Sequence, residues 1–134
     1  MEAIAASSKV VKYVDMPLQH IDEEMLRLMR RETSREHIED LIQAIREAIP
    51  GITLRTTFIV GFPGETEKQF ESLLEFIERI RFERLGIFTY SQEEGSRAAK
   101  MSDHFPDRGK SQLIPEQIQR IACQLAKLCR VKSL

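Results

Sequence analysis

The stretch ITLRTTFIV at 52–60 is dense in β-branched residues, ends in the glycine turn GFPGET and runs straight into a helical pattern. No other feature constrains the fold as much. The stretch is apolar at both parities near its end, which suits a strand covered on both faces, as in a parallel sheet. After the turn, Thr66 and Gln69 have the spacing of a capping box, and Phe70, Leu73, Leu74 and Ile77 share one helical face. RLGIFTY at 84–90 reads as a further strand. Residues 52–90 therefore predict a β-α-β unit with a right-handed parallel crossover.

The flanks extend this pattern. KVVKYVDM, before Pro17, predicts a strand over about 10–16. In IDEEMLRLMRR, Ile21, Met25, Leu28 and Met29 recur at helical spacing, with acids at the start and arginines at the end as the helix dipole prefers. Thr33 and Glu36 have capping-box spacing before a helix whose apolar face is Ile38, Leu41, Ile42, Ile45 and Ile49, stopped by Pro50-Gly51. Residues of about 91–114 read as a polar loop. A closing helix is predicted over about 115–132, with Ile118, Ile121, Ala122, Leu125 and Leu128 inward. Three apolar parallel strands make a small sheet with two open edges, so the chain reads as part of a larger α/β domain.

Charge and composition narrow the function classes. Twenty Lys+Arg against 21 Asp+Glu leave a formal charge of -1 over 134 residues, so charge alone argues for neither a nucleic-acid nor a membrane-surface partner. Every apolar run is broken by charge well short of a membrane span, and MEAIAASSKV lacks the character of a secretory leader. A cytoplasmic location is expected. Cys123 and Cys129 are six apart in one predicted helix, on different faces, and so form no two-ligand metal clip.

The glycine turn invites comparison with phosphate loops, and fails it. No lysine follows Gly64, G-x-G-x-x-G is absent, and Glu65 would place a negative charge where a phosphate would sit. A turn that only permits tight strand-helix packing is the plainer reading. Still, all three predicted strands end in polar or glycine residues, Gln19 and His20 among them, and carboxyl ends of parallel strands gather ligand sites. A lone histidine is more often a hydrogen-bonded structural group than a base or ligand. No nucleophile elbow, H-E-x-x-H or CxxC is present, so these residues alone point to a ligand-binding α/β piece and no reaction.

Taken together, KYVDMPLQHIDEEMLRLMRR, LRTTFIVGFPGETEKQF and RFERLGIFTYSQEEGSRAA resemble successive segments of the radical-SAM methylthiotransferases, in order over roughly residues 2–101. PLQH, in place of a PVQSGS-like segment, and RTTFIVGFPGET, in place of TDIIVGFPGET, favour the branch that modifies an aspartate of a ribosomal protein over the tRNA-modifying branch. The resemblance implies a partial TIM-like (βα) barrel, of which residues 1–134 would be the C-terminal half of the radical-SAM core with about three parallel strands flanked by helices.

It also implies S-adenosylmethionine as cosubstrate, [4Fe-4S] clusters in the full-length protein and a small-subunit ribosomal protein as substrate. The family's CxxxCxxC is absent here, so no catalytic or metal-binding residue is assigned and the isolated chain is expected to be inactive. For the cosubstrate, the resemblance places Ile59 on the adenine, Thr57 on the same cavity and Gln19 near the ribose. It pairs Arg31 with the methionine carboxylate, and leaves Arg55 and Tyr90 as weaker candidates. Two rival readings stand beside it: the tRNA-modifying branch, and a non-catalytic binding or assembly module that self-associates through its open sheet edges.

Overall fold

The strand that dominates the sequence also takes the middle of the sheet. The computed structural model describes residues 2–91, 116–117 and 119–123. Its elements are α1 (Glu2–Ala6), β1 (Tyr13–Asp15), α2 (Glu23–Leu28), α3 (Arg35–Ala48), β2 (Thr53–Val60), α4 (Glu67–Ile80) and β3 (Arg84–Thr89). The strands form one open parallel sheet in the order β1-β2-β3, the α/β class that the sequence predicts.

β2 alternates strictly. Leu54, Thr56, Phe58 and Val60 are buried, whereas Thr53, Thr57 and Ile59 are half-buried and Arg55 is exposed. Full cover therefore falls on one face, not on both. The second row is Thr53, Arg55 and Thr57, which tolerate water, and Ile59 alone at its end makes the strand look apolar at both parities.

By internal packing the chain divides into two units, Met1–Phe58 with Phe82–Gly86 and Ile59–Arg81 with Ile87–Leu134. In the first, β1 pairs with β2 in the register Tyr13↔Thr53, Val14↔Leu54 and Asp15↔Arg55. The predicted strand of about 10–16 shrinks to three residues because pairing with β2 starts only at Tyr13; Val10 and Val11 are 45% and 78% exposed. Parallel pairing resumes past β1 with a shift of one residue: the Met16 amide donates to the Arg55 carbonyl and the Gln19 amide to the Thr57 carbonyl, both at 2.9 Å. Asp22 caps α2 by accepting from the amides of Glu24 and Met25. Ser34, not Thr33, caps α3, its hydroxyl accepting from the His37 amide at 3.2 Å. Either residue can cap, and the helix starts one position later than the Thr33-Glu36 spacing suggests. Ile38, Ile42, Ile45 and Ile49 are buried with Met25, Leu26, Leu54 and Phe58.

In the second unit the predicted capping box is present. Thr66 accepts from the Gln69 amide at 3.3 Å, and the Gln69 carbonyl oxygen accepts from the Thr66 amide at 2.8 Å. Phe70, Leu73, Phe76 and Ile77 of α4 are buried with Val60 and Phe62. Full burial of each of these side chains contributes on the order of 2 kcal/mol. Residues 116–117 and 119–123 are helical, as predicted, with Ile121 buried but Ala122 exposed instead of inward. Arg120 joins this helix to α4 by pairing with Glu67 and Glu71 and by lying 5.1 Å over the Phe70 ring. The rest of the predicted closing helix, including Ile118, Leu125 and Leu128, and all but Ser91 of the loop of about 91–114 lie outside the described residues.

Removing the cap tests this account of α4. Thr66→Ala is expected to destabilise the protein by about 1 kcal/mol in urea denaturation, whereas Thr66→Ser retains the hydroxyl and most of the stability.

Candidate functional site

Three of the residues singled out from the sequence meet in the first unit. Gln19 follows β1 and Pro17, and its backbone is bridged beside Phe58 in parallel sense. Its amide donates to the Thr57 carbonyl at 2.9 Å, while the neighbouring Leu18 amide reaches the Thr56 hydroxyl at 3.4 Å. The Gln19 side chain meets Arg31, whose Nε donates to Gln19 Oε1 at 2.9 Å. Gln19 has φ 70, a left-handed backbone rarely adopted by a non-glycine residue.

Arg31 is placed by the end of α2. Arg30, at φ 56, is also left-handed; its amide donates to the Arg27 carbonyl and the Arg31 amide to the Leu26 carbonyl. This pair of bonds is a Schellman closure built without glycine. Arg31 emerges half-buried and lines a cleft of about 320 Å³ with Asp15, Met16, Pro17, Leu18, Thr33, His37, Ile38 and Leu41. Among the described residues its Nη groups meet no carboxylate.

His20 takes the structural role. It is fully buried, and its Nδ1 accepts from the Asp22 amide at 3.0 Å, so the ring helps to start α2. Arg55, weighed for a substrate-facing role, pairs with Asp15 at 3.2 Å. A hydrogen bond with Tyr13, followed by the nearby Asp15 charge, raises its pKa above the usual arginine value.

The second unit holds Ile59 and Tyr90. Ile59 is half-buried and belongs to the less covered row of β2. The Tyr90 amide donates to the Val60 carbonyl at 2.9 Å, and its ring packs edge-on against Phe62 at 5.2 Å. The GFPGET turn between β2 and α4 is now explained. Gly61 and Gly64 have φ 73 and 88, and the chain folds back so that the buried Glu65 accepts the Gly61 amide at 2.8 Å. Gln117 Nε2 approaches the same Glu65 oxygen at 3.5 Å. The turn thus supplies its own anion, which agrees with the sequence argument against a phosphate.

Sequence reasoning missed two features of the first unit: the left-handed backbone at Gln19 and the Schellman closure at Arg30. Neither uses glycine, the residue that would have signalled it. Among the described residues, no group of three or more His, Cys, Asp or Glu could hold a metal ion.

The family model described as the Radical SAM superfamily matches residues 1–77. The chain is 51% identical over 112 residues to the ribosomal protein uS12 methylthiotransferase RimO of Heliobacterium modesticaldum, covering 84% of this chain and 24% of that protein. It is 55% identical over 109 residues to the RimO of Akkermansia muciniphila, covering 81% and 24%. With the RimO of Thermodesulfovibrio yellowstonii it shares 49% over 123 residues, covering 91% and 29%. The chain thus spans about a quarter of the length of these relatives. Among solved structures, the coproporphyrinogen III oxidase HemN of Escherichia coli, a radical SAM enzyme, superposes with a TM-score of 0.67 at 24% identity, covering 84% of this chain and 27% of that one. That likeness concerns the fold, an open parallel sheet flanked by helices. The family match spans more than half of the chain and takes in β1, β2 and the Gln19–Arg31 pair, and on that ground the chain belongs to the radical SAM superfamily.

Proposed function

We propose that residues 1–134 are the C-terminal half of the radical-SAM core of a cytoplasmic methylthiotransferase acting on ribosomal protein uS12. The full-length enzyme would replace an inert C–H of an aspartate side chain with a methylthio group. One observation carries this reading: three relatives from different organisms, at 49–55% identity over at least 81% of this chain, bear that name. No helix among the described residues is long and apolar enough to cross a membrane.

The residues present fit S-adenosylmethionine. A half-buried guanidinium whose Nη groups meet no carboxylate among the described residues suits a ligand carboxylate, and half-buried Ile59 suits a flat apolar ring. In this proposal Arg31 holds the methionine carboxylate and Ile59 packs on the adenine. Thr57 faces the same ligand, Gln19 lies near the ribose, and Tyr90 is a further contact. When bound, the cosubstrate supplies the means of breaking an inert C–H bond. The chain's two cysteines, six apart and outside any CxxxCxxC, do not fit an iron-sulfur cluster. The cluster ligands would belong to other parts of the full-length protein.

Incubating the full-length protein with ribosomes, S-adenosylmethionine and a reductant is expected to add one methylthio group to uS12, read by mass spectrometry, while the isolated 134 residues add none. Modification of tRNA instead would move the protein to the tRNA branch, and no modification of either would favour a non-catalytic module. Arg31→Ala in the full-length enzyme should weaken S-adenosylmethionine binding by about 1 kcal/mol or more in calorimetry; unchanged affinity removes Arg31 from the site. The isolated chain is also proposed to self-associate through its sheet edges, where Tyr13 of β1 and Phe88 of β3 are 39% and 59% exposed. Light scattering should show mass growing with concentration, and a monomer at high concentration would reject that idea.

A further inference from the structure

We propose that Gln19 is a positioning residue for Arg31: its side-chain carbonyl holds the guanidinium by Nε and so presents the Nη1/Nη2 edge to a ligand carboxylate. This rests on the proposed role of Arg31 and gives the Gln19 side chain that task in place of a ribose contact.

Four observations converge on it. Arg31 Nε donates to Gln19 Oε1 at 2.9 Å. Because a guanidinium only donates, the atom facing it must be the amide oxygen, and the orientation of the Gln19 side chain follows. A guanidinium can grip a carboxylate through its Nε/Nη edge or through its Nη1/Nη2 edge. The bond to Gln19 occupies Nε and leaves the second edge, and among the described residues no carboxylate competes for it.

Both ends of the contact are anchored by the backbone. The Gln19 amide is tied to the Thr57 carbonyl at 2.9 Å, and the Arg31 amide to the Leu26 carbonyl at 2.8 Å. Both anchors involve a left-handed non-glycine residue, Gln19 itself and Arg30 next to Arg31. Strained backbone of this kind persists where the surrounding structure dictates it, often at ligand sites.

The test compares two ligands on the full-length protein with its cluster assembled: S-adenosylmethionine and its decarboxylated analogue, measured by calorimetry. Gln19→Asn tolerates the left-handed backbone but is one methylene too short to reach Nε, and Gln19→Gly relieves the backbone altogether. Both are expected to weaken S-adenosylmethionine about fivefold and to leave the analogue within about twofold. Equal loss for both ligands would assign Gln19 to the ribose or to folding and overturn the proposal, as would no loss for either. Arg31→Ala, measured alongside, separates the failures. If it lowers affinity only for the carboxylate-bearing ligand while the Gln19 variants do not, positioning is wrong and the role of Arg31 stands. If it leaves the discrimination intact, the role of Arg31 falls and positioning falls with it.

Discussion

The alternation of β2 is the constraint on which the rest depends. One row, Leu54, Thr56, Phe58 and Val60, is buried, and a slip of one residue in pairing with β1 would exchange it for Thr53, Arg55, Thr57 and Ile59. Such a slip would put a guanidinium and two hydroxyls into the core and bring Phe58 to the surface. The register Val14↔Leu54 is therefore strongly enforced although β1 has only three residues. Past β1 the Met16 amide keeps that register, and Gln19, shifted by one residue, is bridged to Phe58 through its bond to the Thr57 carbonyl. A glutamine in a loop is thereby placed as exactingly as a strand residue.

That placement comes at a cost in backbone strain. A left-handed conformation costs a non-glycine residue about 1–2 kcal/mol, and Gln19 and Arg30 both adopt it. At Arg30 the Schellman bonds offset the cost by satisfying carbonyls that the end of α2 would otherwise leave open. At Gln19 the backbone bond to Thr57 and the side-chain bond from Arg31 act together. The strain sits on either side of one contact between two polar side chains.

Much of this was legible in the sequence, and the exceptions have physical reasons. Long periodic segments such as α3 and α4 read correctly, since their apolar faces repeat over 14 residues each. The Thr66–Gln69 capping box read correctly because both partners are local. Thr33 misled because Ser34 beside it caps equally well. The length of β1 depends on where β2 begins, a non-local fact that Val10 and Val11 cannot reveal. The residues proposed for the cosubstrate came from family resemblance. What the sequence could not show was the Gln19–Arg31 bond, which spans 12 positions and relies on two left-handed residues that are not glycine.

The two charged groups at strand and helix ends also decide which ligand chemistry the chain can serve. Glu65 is the acid of the glycine turn, and its carboxylate is spent internally on the Gly61 amide. An incoming phosphate at that turn would meet a buried carboxyl group that already holds the Gly61 amide. Arg31 is in the opposite state. Its position is fixed by backbone bonds and its Nε by Gln19, yet among the described residues no carboxylate takes the Nη edge. A guanidinium held in place with an open donor edge suits an oxyanion, because two parallel hydrogen bonds then form with little further loss of side-chain freedom. The glycine turn thus closes on its own carboxyl group, while Arg31 keeps a donor edge that no carboxylate among the described residues takes.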